Sequence, residues 1–160
     1  ISSWMVAAPS GDIVGILGAR HIGITVSDMA RSVRFYCDYL GLKEIGDYPG
    51  RSGAYYETLV GVIGALIDIK TLAAPDGTTK VELLQYRSHP ADAGALAQAT
   101  ETGRPHGAFT VDDLMALYAR RAEFGCRFKS APLLSPDGVL VAYCHDPDGT
   151  ILELVELSAT

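Results

Sequence analysis

Apolar and polar residues alternate along 21–26. Ile22, Ile24 and Val26 fall on one face, and His21, Gly23 and Thr25 on the other. That period of two predicts a half-buried strand. The period then changes. Met29, Val33, Tyr36 and Leu40, spaced 4, 3 and 4, share one face of a helix. Ser27 or Asp28 can cap its start, and Gly41 stands where it should stop. Strand-like segments follow at 42–45, 65–71 and 80–86.

The same order returns further along. His106-Gly-Ala-Phe-Thr-Val-Asp-Asp aligns without gaps on His21-Ile-Gly-Ile-Thr-Val-Ser-Asp, an offset of 85 residues (21 to 106). Asp112 or Asp113 can cap a second helix carrying Leu114, Leu117, Tyr118 and Phe124, and Gly125 ends it. Strands are predicted at 126–129, 139–144 and 150–157. In each half a Pro-Asp-Gly turn, 75–77 or 147–149, leads into the last strand; proline presets such a turn and glycine supplies the positive φ.

Each half therefore reads β-α-β-β-β. The fold class is α+β, built of two βαβββ modules. The expected divisions are an N-terminal extension at 1–15, a first module at 16–88, a linker at 89–104 and a second module at 105–160. The first half is longer, with an insertion around 47–64 whose 55–59 stretch predicts a short helix or lid. A second short helix is expected in the linker at 91–100.

The chemistry sits on matching positions of the repeat. Each histidine leads the less bulky face of its strand. Glu82 shares a face with Leu84 and Tyr86, and Glu153 with Ile151 and Val155. A carboxylate on an apolar strand face is costly unless it is paired or binds a cation. Two such carboxylates and two strand histidines, placed equivalently in a duplicated chain, point to one shared cation held by His21, Glu82, His106 and Glu153. Gln85 and Glu156 fall on the opposite faces, and His89 and His145 read as loop or turn residues.

Composition narrows the partners. The 160 residues carry a net charge of −6, which leaves no broad footprint for nucleic acid or an anionic membrane. The three cysteines, Cys37, Cys126 and Cys144, have no CxxC spacing and read as free thiols in a reducing compartment. No apolar run reaches the ~18 residues of a membrane span. The mildly apolar start, 1–18, lacks a basic segment and reads as a tail or extra strand rather than a signal peptide. The cytoplasm is the expected location.

These segments together resemble the vicinal-oxygen-chelate superfamily (glyoxalase, bleomycin resistance and dioxygenase proteins). The resemblance spans roughly 16–157. Its carriers are the His21 segment, Phe35-Tyr36 with Leu40-Gly41-Leu42, Val81-Glu82-Leu83-Leu84, His106 with Val111-Asp112-Asp113, and Asp146-Pro147-Asp148-Gly149 leading to Leu152-Glu153-Leu154. It lies nearest the methylmalonyl-CoA epimerase and glyoxalase I branch. It implies that the two modules form a cupped mixed sheet around a central metal site, with one divalent ion (Co, Ni, Zn, Mn or Fe) on the four residues above, and a homodimer. Some relatives share the site between chains, but with both half-sites in this chain an intrachain site is preferred.

The implied substrate is a small molecule with a carbonyl or vicinal oxygens. The implied reaction is a proton transfer beside that carbonyl, with Glu153 as base and Glu82 as its counterpart. Glu57 stands near the place where the epimerase branch carries a second base, and Tyr55, Tyr56 and Tyr86 are candidate pocket residues. A glyoxalase I-type lyase, an extradiol-type dioxygenase and a small-molecule-binding resistance protein are the alternative functions.

Overall fold

Strand β1 (Ile22–Thr25) pairs in parallel with β4 (Lys80–Tyr86), which pairs with β3 (Leu66–Ala73), which pairs with β2 (Lys43–Ser52). In the second module β5 (Gly107–Thr110) pairs in parallel with β9 (Ile151–Glu156), then come β8 (Leu140–His145) and β6 (Arg127–Phe128). A short strand not expected from the sequence, β7 (Leu133–Leu134), also pairs with β8. This computed structural model describes residues 15–92 and 94–157. Apart from Gly15, the N-terminal extension expected at 1–15 lies outside them.

The parallel pairings explain each module's chain path. A strand can join a parallel neighbour only through a crossover, and a helix supplies part of it in each case. Helix α1 (Met29–Val33) continues as wider π-helical turns through Tyr39, and Gly41 (φ 79°) ends it. Asp28 caps the helix, accepting from the Arg31 amide at 3.0 Å. Helix α2 (Ala54–Val60) fills the predicted insertion. Helix α3 (Leu114–Arg120) is capped by Asp113 and tightens into a 3₁₀ turn before Gly125.

No helix forms among the described residues of the expected 91–100 segment. Pro90 and Gly94 disfavour it, and the segment spends its backbone groups on the second module instead. Ala97 N donates to Gly149 O at 3.2 Å, and His145 Nε2 donates to Ala97 O at 2.7 Å. His145 is thereby a buried strand residue rather than a turn residue, at 3% exposure.

One core serves both modules. Ile24, Tyr36, Leu72 and Leu83 from the first join Leu114, Phe124, Leu152 and Leu154 from the second. Tyr39 stacks on Phe124 with ring centres 4.9 Å apart. Polar bonds cross the same junction. Asp148, in the turn before β9, accepts from Ser27 Oγ (2.5 Å) and Arg31 (2.6 Å). Ser27, a candidate cap, is therefore committed to the other module.

Asp146 is fully buried and accepts from Tyr36 Oη at 2.9 Å and from the amides of Asp148 and Thr150. Burial pushes its carboxyl above the ordinary range in spite of those donors. Removing one donor from a buried acceptor costs about 1–3 kcal/mol. Tyr36→Phe should lower unfolding stability by that amount, read as a lower urea midpoint with unchanged slope. A midpoint shift below a few tenths of a kcal/mol would contradict the staple.

Candidate metal centre

Strand register builds the centre. Gly23 lies level with Glu82 across β1 and β4, and Ala108 lies level with Glu153 across β5 and β9. Each histidine stands two residues before that small residue, on the same strand face. Glycine and alanine leave the face open, so the imidazole reaches over toward the carboxylate. His21 Nε2 lies 3.5 Å from Glu82 Oε2, a contact slightly too long for a good hydrogen bond. His106 Nε2 lies 3.1 Å from Glu153 Oε2 and donates to it.

The pairs occupy a half-buried setting. Both glutamate side chains are 25% exposed, and the histidines are 34% and 37% exposed. Glu82 has only His21 as a partner among the described residues. Glu153 has His106 and one residue that the sequence reading missed, Tyr143. The Tyr143 hydroxyl lies 3.1 Å from His106 Nε2. Its pKa is raised by burial, and by the charge and hydrogen bond of Glu153.

Tyr143 was findable. A hairpin that folds at 147–149 pairs residues equidistant from Asp148, which sets Tyr143 opposite Glu153. In the first module Thr71 occupies the matching place opposite Glu82. The two pairs are alike in residue type and unlike in surroundings.

The four candidates stand as two His–Glu pairs, one in each module. Among the described residues, no group of three or more His, Cys, Asp or Glu side chains is gathered closely enough to hold a metal ion. The physical reason is topological. Parallel pairing fixes each histidine against its own glutamate, but the modules form two separate sheets and no strand pairing joins β1 to β5. The two strands do approach: a Cβ on Gly107 would lie 3.2 Å from Ile22 Cδ1. Packing alone sets the separation of the two pairs.

The other candidates divide. Glu57 sits in the first turn of α2, outside any such group. Tyr55 and Tyr56 pack edge to face on each other along α2, and Tyr55 is 70% exposed. Tyr86 lines a cleft beside the cup. Gln85 and Glu156 are equivalent helix anchors. Gln85 Oε1 accepts from the Met29 amide at 3.0 Å, and Glu156 Oε2 from the Leu114 amide at 2.7 Å.

A family model described as the glyoxalase/bleomycin resistance protein/dioxygenase superfamily matches residues 18–154. The chain belongs to this superfamily. Among members similar in sequence, the uncharacterized protein YaeR of Escherichia coli is 28% identical over 144 residues, covering 90% of this chain and 99% of that one. The uncharacterized protein YwbC of Bacillus subtilis is 26% identical over 139 residues, covering 85% and 94%. Superfamily structures share the fold. A glyoxalase family protein from Bacillus cereus superposes with a TM-score of 0.81 at 20% identity, covering 93% of this chain and 98% of that one. Glyoxalase I of Leishmania major does so with a TM-score of 0.57 at 20% identity, covering 86% and 84%.

Divalent metals are bound within the superfamily, and the four side chains here are of the types that ligate one. Two imidazole nitrogens and two carboxylates suit a borderline divalent ion. The two carboxylates, each three-quarters buried, have few other partners. Their substitution should therefore leave folding almost untouched. Glu82→Gln and Glu153→Gln should shift stability by less than about 0.5 kcal/mol. Gln85→Ala and Glu156→Ala, which strip a helix start of its acceptor, should each cost about 0.5–2 kcal/mol. Chemical denaturation of the four variants checks the contrast; large losses for Glu82 and Glu153 would make them structural.

Proposed function

We propose that the protein is a metal-dependent isomerase or lyase that moves a proton at a carbon next to a carbonyl or enediolate oxygen of a small molecule. The observation that carries this reading is the recurrence of a half-buried His–Glu pair in the same register of both modules. His21, Glu82, His106 and Glu153 would hold one divalent ion, Co, Ni, Zn, Mn or Fe. Bound there, the ion polarises a substrate oxygen and makes the neighbouring proton easier to remove.

The chain's own residues supply the rest. Glu153 takes the proton and returns it, with the Tyr143 hydroxyl beside it to fix the carboxylate. Glu82 faces Thr71 instead and serves as the less constrained counterpart. Isomerase and lyase reactions share this step, so one assay addresses both. We also read the protein as a homodimer. Ten-residue β2 stands at the end of its sheet with Ile45 and Tyr48 exposed, and such an edge invites pairing.

Glu153→Gln should slow solvent deuterium incorporation into 2-substituted acyl or keto substrates by 10²- to 10⁴-fold, the usual worth of a general base (about that range). Exchange at the unaltered rate would remove Glu153 as the base. Chelation of the unaltered protein should abolish exchange, and re-addition of a divalent ion should restore it. Persistence of full exchange after chelation, with metal analysis confirming removal, would end the metal reading.

A further inference from the structure

A cleft of about 1070 Å³ opens where the ends of β1 and β4 meet the linker and the start of β9. None of the four candidate ligands lines it. Its volume lies at the upper end of small-molecule sites, which run from about 300 to 1,000 Å³. Val26, Val62, Tyr86, Pro90, Ala95 and Ile151 supply its apolar wall.

The arginines and Asp148 around it are already engaged. Arg87 Nε holds Asp68 Oδ2 at 2.9 Å, and Arg104 Nε holds Glu101 Oε2 at 2.9 Å. Asp148 is held by Arg31 and Ser27. The Gln85 side chain is spent on the Met29 amide and the Ser27 carbonyl. Asp92, exposed at the rim, has no partner among the described residues, and it repels anions. An anionic ligand would have to compete with Asp68 or Glu101 for a guanidinium, and would meet Asp92 as well. Apolar surface is what the cleft has to offer.

The cleft also adjoins the second His–Glu pair. Ile151 shares a strand face with Glu153 two residues on, a step of about 7 Å along a strand. Pro105, in the wall, directly precedes His106. We propose that the cleft receives an uncharged apolar body, an aryl ring or short alkyl chain, carried within about 7 Å of the substrate's reacting carbonyl. The assignment rests on His106 and Glu153 as the reaction centre, and it narrows the substrate class to carbonyl compounds with an apolar rather than a polyanionic tail.

The test uses the full chain in the presence of a chelator, with the neutral dye N-phenyl-1-naphthylamine as probe. Dye fluorescence should rise on binding and be displaced by 1-octanol or benzyl alcohol. Succinate and pyrophosphate should displace it at least tenfold less effectively. Ala95→Trp should weaken dye binding at least tenfold by filling the cleft, and Ala91→Trp, at a second exposed position of the wall, should act in the same direction. Glu153→Gln should leave it within twofold. Displacement by succinate as effective as by octanol, or dye binding unchanged in both tryptophan variants, would overturn the proposal. The dye needs neither metal nor turnover, so failure of the metal reading would leave these outcomes as they are and show in the exchange assay instead.

Discussion

The centre depends on parallel pairing between the first and last strands of each module. Parallel registration sets Gly23 beside Glu82 and Ala108 beside Glu153, and so brings each histidine over a small residue toward a carboxylate. A one-residue slip in either pairing would carry the glutamate to the helix-facing side, where Val81, Leu83, Leu152 and Leu154 are completely buried. That core therefore specifies the site. The same register places Gln85 and Glu156, three residues further along, at the helix starts. Opposite faces of one strand thus anchor a helix and present a candidate ligand.

Junction chemistry holds the two halves together. Asp146 and Asp148 lie in the turn between β8 and β9 and take hydrogen bonds from Tyr36, Ser27 and Arg31 of the first module. The aspartates of the Asp-Pro-Asp-Gly segment are thus more than turn formers. The first module's turn is different: Asp76 is fully exposed and closes on Thr78 and Thr79, and those hydrogen bonds hold its carboxyl at about 2. Divergence of two once-equivalent turns explains how one repeat can form the inter-module seam and the other only a local hairpin.

Most of the fold was legible because local rules sufficed. Alternation at 22–26, the helical stripe from Met29 to Leu40, the capping aspartates and the stop glycines all describe elements whose neighbours are close in sequence. The linker was misread because alanines favour a helix locally, while Gly149 and His145, far along the chain, claim its backbone. The two His–Glu pairs and their strand faces were also readable from the repeat. The separation of the two pairs was not, because it follows from packing between sheets that no strand pairing joins. The cleft is not legible in the sequence for the same reason: its wall comes from five separate segments.

As proposed, both pairs serve one ion. Metal content measured on protein loaded with excess cobalt or zinc and then desalted tests it most directly. One ion per chain is expected in the unaltered protein, and near-zero content in both His21→Ala and His106→Ala. Two ions per chain, or one ion retained by either variant, would mean that the pairs act separately and would contradict it.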